Sequence, residues 1–546
     1  MISVFPSNIT PPATASIVPG KVLALPNGKI LVVGAVGLIP GVDIALVRYL
    51  ADGSLDTTFG TGGFVNSNLG AYYSDEQTAH TALLLPSGKI LVGGTVKNKF
   101  AVVRFNEDGT HDTTFGNSSG VAFHNDMYTD YGVQALAVMS DGRILAAGSG
   151  TAPSGSKDFV VMCFSASGVL DSSFGSSGRA FADFGSAPDT LTGMALSSSG
   201  RIVCVGYTDP PTTDYVVATA CFTSSGALDT AFSGDGKDTQ AVGTSGTFAE
   251  DVAVLADGKI LVAGTASPSP QTTNMDFMLL KYHVNGTLDT TFGGAGTGIA
   301  IADFGALSVT DGLMEDRCQG VLVQPDGKIL VTGYVGEVSQ NSTDTRYAVA
   351  RHHADGTLDA TFGLNGVAAG QVDAYKDYGY ASALQPDGKI VVAGLSRNSG
   401  GFDRIGVARF WGHTPVQTWR LRHFGSIAAT GNAADSADPD SDGSNNLLEY
   451  ALGTSPVGVQ TTSALALTVE RVGIRNYATA TITKPHGEEG LSYNMTVSGN
   501  MSQWFTDGLY TTVLVDDATT FKIRDNTYLT GNVPRFARIV VGWLVP

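Results

Sequence analysis

A short unit that recurs seven times constrains the fold of this chain more than any other feature. Each copy has a Gly-Lys or Gly-Arg pair between two apolar runs, and the glycines of these pairs are Gly28, Gly88, Gly142, Gly200, Gly258, Gly327 and Gly388. In most copies Asp or Asn precedes the glycine. Such dipeptides are typical of tight β-hairpins, because both central residues of the turn need positive φ. The period of 54 to 69 residues (from Gly88 to Gly142 and from Gly258 to Gly327) is the size of a supersecondary unit, so the sequence predicts an array of similar β-units.

A second motif, Asp-Gly-x-Leu-Asp-x-x-Phe-Gly, follows the hairpin in the first six copies, with residues 52–60 and 355–363 as clear examples. Each copy therefore divides into four short strands, rich in Val, Ile, Leu and Ala and separated by Gly, Asp and Asn. The seventh copy ends near Phe410 without a fourth strand. We expect the apolar run at residues 2–5 to supply it, because this pairing removes open sheet edges. Residues 1–412 are thus predicted to form a seven-bladed β-propeller of the all-β class.

The net charge, the hydropathy and the cysteines exclude several kinds of partner and covalent link. The net charge of −18 argues against nucleic acid and against anionic membrane surfaces. No apolar run approaches the ~20 residues of a membrane-spanning helix, so no membrane span is expected. Residues 1–6 lack a basic region followed by an apolar core, so no leader is predicted within this chain. The four cysteines are interpreted as small buried apolar residues rather than disulfide partners.

The two motifs together resemble a known repeat. Leu-x-Pro-x-Gly-Lys-Ile-Leu-Val-x-Gly followed by Asp-Gly-x-Leu-Asp-x-x-Phe-Gly is similar to the bacterial delta-60 repeat, and the resemblance covers residues 19–411. Delta-60 repeats occur in large secreted or surface proteins, so the resemblance implies a β-propeller-like array in a secreted or cell-surface bacterial protein. The family has no uniform activity, and the resemblance therefore implies no catalytic residues.

The composition changes after Phe410, and two further regions are predicted there. Residues 413–460 are interpreted as a helical linker, with a short helix at 414–424. Residues 461–546 return to short apolar runs, at 464–470, 478–483, 492–497, 519–523 and 536–543, and are predicted to form a small β-sandwich accessory module.

The clearest candidate site is a calcium loop in the linker. Oxygen-bearing side chains occupy loop positions 1, 3, 5, 7, 9 and 12, and these are Asp438, Asp440, Asp442, Ser444, Asn446 and Glu449. With Gly443 at position 6, this is the spacing of an EF-hand loop, which brings six or more oxygens to a hard cation. The stretch resembles the single calcium loops of dockerin-like and thrombospondin type 3-like linkers, so calcium is the predicted cofactor. The alternative is a solvated turn rich in Asp, Ser and Asn that caps a helix.

The propeller offers a second candidate site on one face. In a four-stranded meander the first and third turns share a face, and here these turns are the repeated motifs. The second turns and the connections between blades vary, and we call this side the variable face. It is rich in Tyr and Asp, which suit carbohydrate binding, and the candidate ligand-binding residues are Asp130, Tyr131, Tyr375, Asp377 and Tyr378. In the alternative interpretation the aspartates cap turns, since Asp189, Asp316 and Asp377 share one offset from their glycines.

Three functional hypotheses follow. The first is a binding or adhesion protein whose variable face meets a polysaccharide or another cell-surface ligand. The second is an extracellular polysaccharide lyase or glycosidase, which would need two acids about 5–10 Å apart across the central opening. The third is a structural protein that assembles with itself. Asp43, Asp158 and Asp276 share one repeat position and are interpreted as structural.

Overall fold

The computed structural model of the chain describes most of its residues. The described residues are 2–4, 16–38, 41–67, 69, 77–97, 99–116, 119–128, 132–152, 155–185, 187–210, 214–243, 246–267, 275–294, 296–304, 314–337, 345–372, 376–397, 403–411, 419–420, 423–424, 430–441, 444–457, 465–484, 491–506, 508–516, 520–529 and 535–543. The chain divides into two compact units, Met1–Gly412 and His413–Pro546.

The described strands of the first unit fall into seven antiparallel sets of four, which we call blades, and one parallel pairing, Thr345 with Lys376, joins the last two blades into an eight-stranded sheet. The strands of blades 1 to 3 are β2 (Ser16–Ala24), β3 (Ile30–Leu38), β4 (Gly41–Tyr49), β5 (Phe64–Ser67); β6 (Gln77–Leu84), β7 (Ile90–Val96), β8 (Lys99–Phe105), β9 (Val121–Tyr128); β10 (Val133–Val138), β11 (Ile144–Thr151), β12 (Lys157–Phe164), β13 (Arg179–Ala182). The strands of blades 4 and 5 are β14 (Asp189–Leu196), β15 (Ile202–Thr208), β16 (Val216–Phe222), β17 (Lys237–Gln240); β18 (Thr247–Val254), β19 (Ile260–Ala266), β20 (Asp276–Tyr282), β21 (Ile299–Ala302). The strands of blades 6 and 7 are β22 (Met314–Val323), β23 (Ile329–Glu337), β24 (Thr345–His352), β25 (Val367–Gly370); β26 (Lys376–Leu384), β27 (Ile390–Arg397), β28 (Asp403–Phe410) and, at the far edge, β1 (Ile2–Val4).

The blades close into a ring. Strand β1 pairs antiparallel with β28, with Ile2 opposite Phe410 and Val4 opposite Ala408. Each junction between neighbouring blades holds its own cluster of buried apolar side chains. The junction between blades 7 and 1 is no exception, since Val32 and Val391 belong to one such cluster. The predicted all-β class is confirmed.

In blades 1, 2 and 6 the repeated motif residues form a charge network around a buried aspartate. In blade 1 the Asp56 carboxylate accepts hydrogen bonds from Lys29 Nζ at 2.8 Å and from Arg48 Nε at 2.7 Å. The Arg48 guanidinium lies 4.4 Å from the centre of the Phe59 ring. Burial alone would raise the pKa of Asp56, but hydrogen bonds from Lys29, Thr58 and Arg48 outweigh it and hold that pKa well below its usual range. The motif is therefore a folding device, and it places no reactive group at the surface.

The same motif also joins neighbouring blades. Arg48 Nη1 donates to the Glu107 carbonyl of blade 2 at 2.8 Å. The motif glycine packs against the motif phenylalanine of an adjacent blade, as a Cβ on Gly356 would lie 2.8 Å from the Phe292 ring. Gly356 has φ of 87°, so the position excludes a side chain both by contact and by backbone conformation.

The second unit contains one described α-helix and six described strands. These are α1 (Asn446–Leu452), β29 (Leu465–Val472), β30 (Arg475–Thr483), β31 (Leu491–Ser498), β32 (Thr511–Asp516), β33 (Thr520–Tyr528) and β34 (Phe536–Trp543), after a short 3-10 turn at Gly431–Ala433. The strands form a sheet in the order β29-β30-β33-β32 and a two-stranded sheet, β31-β34, which share a small core around Ile482, Met495 and Phe521. Strand β32 was absent from the sequence prediction. Of the predicted helix at 414–424, residues 419–420 and 423–424 are described, and they are helical. No helix among the described residues has the length and hydropathy needed to cross a bilayer.

Candidate functional site

The innermost strand of every blade carries one β-bulge at the same repeat position. In β18, for example, the register shifts between Ala249 and Asp251, so that Glu250 is the extra residue. A bulge turns one side chain away from the direction that the ladder would give it. All seven bulged residues line one central cavity of about 430 Å³, and they are Gly20, His80, Gln134, Thr192, Glu250, Gln319 and Tyr380. We call this set the bulge ring.

The bulge ring lies near the middle of the inner strands, since Tyr380 is the fifth of the nine residues of β26 and Glu250 is the fourth of the eight residues of β18. Each of its residues stands three positions after the residue that corresponds to Asp377 in its own blade, and Asp377 is the second residue of β26. Three residues of strand span about 10 Å, so the ring lies about 10 Å from the variable face, halfway along the channel wall.

The ring is polar and largely neutral near pH 7. Burial raises the pKa of Glu250 to about 8, with Arg317 opposing the rise and Asp251 adding to it. The Glu250 carboxyl is therefore mostly protonated at neutral pH and can donate a hydrogen bond. Burial also lowers the pKa of His80, so its imidazole is neutral as well. Together with amide and hydroxyl groups, the ring offers both donors and acceptors without a net charge.

The acids in the channel come from one strand. Among the described lining residues, Glu250 and Asp251 are the carboxylates, and both lie on β18. Asp251 is committed to the backbone, because its oxygens accept from the amides of Val252 at 2.9 Å and Val321 at 3.0 Å. The described part of the channel thus lacks the pair of opposed acids that the glycosidase hypothesis requires.

Three tyrosines adjoin the ring between blades 6 and 7. Tyr378 stacks on Tyr380 with 6.2 Å between ring centres and 5° between planes. Tyr334 meets Tyr378 edge-on at 5.0 Å and Tyr380 at 6.4 Å. All three side chains are half-buried, so each keeps part of its ring accessible. Burial, followed by the neighbouring Tyr378 and Asp403, raises the pKa of Tyr380, so its hydroxyl stays protonated. We call these residues the tyrosine cluster.

The other predicted ligand-binding residues have different positions. Asp377 is fully buried and accepts from the Val372 amide at 2.6 Å and from the Ser396 hydroxyl, so it holds the connection between blades rather than facing a ligand. Asp189 and Asp316 make the equivalent bond to Phe184 and Phe304, which supports the capping interpretation. The candidates Asp130, Tyr131 and Tyr375 lie outside the described residues.

The predicted calcium loop leads into α1. Asn445 caps this helix by accepting from the Leu448 amide at 3.0 Å, and Gly453 ends it in the left-handed conformation. Glu449, the residue at loop position 12, is fully buried on the helix. Asn446 is also buried, and its side-chain amide donates to the carbonyls of Asn432 and Ala434, both at 2.7 Å.

The oxygen of that Asn446 side chain has a different environment from its nitrogen. Asn446 Oδ1 is buried, and among the described residues no donor reaches it. An oxygen that is buried without a donor fits a cation ligand, since burying a polar atom without a partner is otherwise unfavourable. Asp438, Asp440 and Ser444 lie partly exposed in the preceding loop, whereas Asp442 lies outside the described residues.

The bulge ring was missed by the sequence analysis. When the seven repeats are compared, the type of side chain at the position eight residues before each hairpin glycine varies between blades, and this variation could have identified the ring. Strict alternation along the inner strand does not identify this column, because the bulge adds one residue to the count.

One sequence family matches the chain. Residues 25–59, 85–115, 140–174, 255–292, 324–362 and 385–412 are similar to the family described as a domain of unknown function (DUF5122) beta-propeller. The matched segments carry the hairpin of every blade except the fourth, and most of the motif of blades 1, 2, 3, 5 and 6. A search of curated proteins finds no similar sequence.

Several solved structures are similar to the chain at low identity. A protein of unknown function from Dyadobacter fermentans shows 14% identity and a TM-score of 0.36, covering 75% of this chain and 97% of that one. A polysaccharide lyase, an ulvan lyase bound to a GlcA–Rha3S saccharide, shows 13% identity and a TM-score of 0.42, covering 72% and 93%. A PQQ-bound aldose sugar dehydrogenase from Streptomyces coelicolor shows 13% identity and a TM-score of 0.34, covering 60% and 92%.

Similarity at this level gives no information on activity. The repeated sequence, the ring of four-stranded sheets and the family match agree with one another. The chain is a β-propeller-type repeat protein.

Proposed function

We propose that this protein is a secreted or cell-surface binding protein that takes a saccharide chain at the mouth of its central channel. The observation that carries the proposal is the continuity between the tyrosine cluster and the bulge ring, since Tyr380 belongs to both. Flat, partly accessible tyrosine rings provide contact area for the apolar faces of sugar rings. The neutral donors and acceptors of the bulge ring suit sugar hydroxyls, which both donate and accept.

The proposal is tested first by applying the protein to an array of neutral and acidic polysaccharides, and then by calorimetry on each polysaccharide that binds. Replacing Tyr380, the tyrosine of the cluster that lines the channel, with Ala should weaken binding at least tenfold, equivalent to about 1.4 kcal/mol. The matched control is Tyr207→Ala, which removes a tyrosine from a similar cluster with Tyr215 and Phe248 that does not line the channel. Equal losses in both variants, or no binding of any polysaccharide by the unmodified protein, would contradict the proposal.

A polysaccharide lyase or glycosidase remains the second candidate, and one observation favours it. Glu250 and His80 share the channel, and burial raises the pKa of the carboxyl while it lowers the pKa of the imidazole, so a protonated acid and a neutral base occur together, as is common in active sites. The variant Glu250→Gln separates the two functions. A binding protein should keep its affinity, because Gln resembles the neutral acid in shape. An enzyme that uses Glu250 should lose its release of reducing ends or unsaturated products.

We also propose that the loop at residues 438–449 binds one calcium ion. The fully buried Glu449 and the buried Asn446 oxygen support this assignment, and calcium would offset the repulsion among the loop carboxylates. The helix α1 lies in the same compact unit as β29 to β34, and Tyr493 donates to the Ala451 carbonyl at 3.3 Å. Calcium would therefore stabilise the C-terminal unit, which we propose as an attachment module.

A further inference from the structure

We propose that the propeller holds divalent cations, with calcium the best fit, between its blades, at carboxylate triads separate from the linker loop. The better defined triad consists of Asp276, Asp303 and Asp316, one carboxylate oxygen from each lying within 4.8 Å of the others. Oxygens that share one Ca²⁺ ion at 2.3–2.6 Å must lie within about 5 Å of each other, so this spacing suits a common cation.

The blade junction brings these three residues together. Asp276 begins β20 in blade 5, Asp303 follows β21 in the same blade, and Asp316 lies near the start of β22 in blade 6. The Asp316 amide donates to the Met275 carbonyl across the junction at 2.8 Å, which fixes the two strand ends side by side. The Phe304 amide donates to Asp316 Oδ2 at 3.1 Å and orients that carboxyl.

The two inner carboxyls retain oxygens that nothing in the described structure satisfies. Asp316 is fully buried and Asp276 is 4% exposed. Oδ1 of each is buried, and among the described residues neither oxygen has a hydrogen-bond partner. No basic side chain of the described structure forms an ion pair with either residue. A buried carboxylate without donor or cation is costly, so the site requires either a bound cation or protons on the acids.

The three acids are close enough to repel one another when charged. Burial raises the pKa of Asp316 to about 8, and the nearby Asp276 and Asp303 add to the effect. Burial and Asp303 raise the pKa of Asp276 to about 6. Asp303 is exposed and gives the triad an opening to solvent through which an ion can enter.

A second triad repeats the arrangement two blades earlier. Asp158, Asp183 and Asp189 occupy the equivalent positions between blades 3 and 4, again with oxygens within 4.8 Å of one another. Its Asp189 is fully buried, and burial raises its pKa to about 6. At the two junctions that have all three acids, the repeat position of Asp158 and Asp276 would therefore supply a cation ligand rather than only a packing contact.

Other junctions provide a matched control. Asp43 occupies the same repeat position as Asp276, but the residue that corresponds to Asp316 there is Gln77. The Gln77 side chain accepts from the Leu69 amide at 3.1 Å and so fills the capping function without a charge. Asp43 alone should not bind a cation.

The experiment measures bound Ca²⁺ by equilibrium dialysis and atomic emission in the full chain carrying Glu449→Gln, which removes the contribution of the linker loop. This protein should still bind Ca²⁺. Adding Asp276→Asn should remove one equivalent per chain, whereas adding Asp43→Asn should remove none. If the Glu449→Gln protein binds no Ca²⁺ at millimolar concentration, or if both added variants keep the same content, the proposal is wrong.

Thermal unfolding gives a second readout with a characteristic sign. In chelator, acids whose folded pKa is raised stabilise the protein below pH 4, and this stability is lost as pH rises through about 6 to 8. Calcium should suppress that loss in the Glu449→Gln protein, and Asp276→Asn should reduce the suppression, since the second triad remains, while raising the melting temperature in chelator. If Asp276→Asn fails to fold, Asp303→Asn is used instead, because its exposed side chain leaves the core intact. An unchanged calcium affinity in Asp303→Asn would overturn the assignment.

Discussion

At the scale of single residues, the repeat conserves interactions rather than residue types. Where blade 1 has Lys29 and Arg48 around its motif aspartate, blade 4 has Arg201 and Cys221 at the same two positions. Arg201 Nε binds Asp229 at 2.6 Å, and its Nη1 donates to the Val284 carbonyl of blade 5 at 2.6 Å. Arg201 thus makes, from the position of Lys29, both the contact within the blade and the contact to the next blade that Arg48 makes in blade 1.

This exchange predicts a compensating pair. Arg201→Lys should destabilise the propeller by about 1–2 kcal/mol, because lysine can reach Asp229 but loses the hydrogen bond to Val284. Adding Cys221→Arg should recover most of the loss, since the equivalent Arg351 of blade 6 is accommodated at 2% exposure. Urea unfolding of the two single variants and the double variant measures the coupling. Strictly additive effects would show that the two positions act independently.

The residue scale also shows what the sequence could reveal about the site. Tyr378 was predicted as a ligand-binding residue and lies in the tyrosine cluster, but its partners Tyr334 and Tyr380 were not identified. Tyr380 lies two residues after Tyr378 on β26, where the bulge obscures the alternation, and Tyr334 on β23 reaches them only because blade 7 packs on blade 6. Asp377 was predicted to bind a ligand because aspartate is a common binding residue. Its burial depends on tertiary contacts that the local sequence does not show.

At the scale of elements, the strands were largely predictable because short apolar runs and turn residues alternate so regularly. Strand β32 was missed since it does not have the alternating exposure that marks a half-buried strand: Val513 and Leu514 are adjacent and both exposed. The bulges were not predictable for a related reason. A bulge interrupts the period of two on which strand assignment relies, so the residue facing the channel cannot be read from alternation.

The N-terminal strand gives the prediction at this scale. Deleting residues 1–6 should lower the melting temperature of the propeller by several degrees, because β28 loses the strand that covers its edge. Differential scanning calorimetry of the truncated and full chains checks this. Replacing the same six residues with a Gly/Ser segment of equal length controls for chain length. A melting curve that the deletion leaves unchanged would show that β1 contributes no stability.

At the scale of the whole molecule, apolar packing holds the ring together at every junction between blades. Each of the seven junctions buries its own cluster, so a locally disturbed blade is still held from both sides. The C-terminal unit has a single smaller cluster, around Ile482 and Phe521, and several exposed apolar side chains on β29. It should depend more on additional stabilisation, such as the proposed calcium loop.

Calcium removal should therefore affect the two units differently. Chelation is expected to speed protease cleavage between residues 428 and 455, because the loop carboxylates then repel one another, while the propeller core stays intact. Mass spectrometry of timed digests locates the cuts. Glu449→Gln should reproduce the effect and make the digest insensitive to chelator, whereas Glu470→Gln on β29 should not. Equal cleavage rates with and without chelator would contradict calcium binding and favour the alternative, in which the loop is a solvated turn that caps the helix.

The pairing of β1 with β28 also determines how the propeller responds to mechanical load. Ile2 lies opposite Phe410, so the N-terminal end of β1 lies beside the C-terminal end of β28. Tension applied through these two ends acts across the strands, and it loads the bonds of this pair one after another instead of all together. A propeller held at a cell surface and pulled from both ends would therefore open at this seam at low force, and it would release a short strand before any blade unfolds.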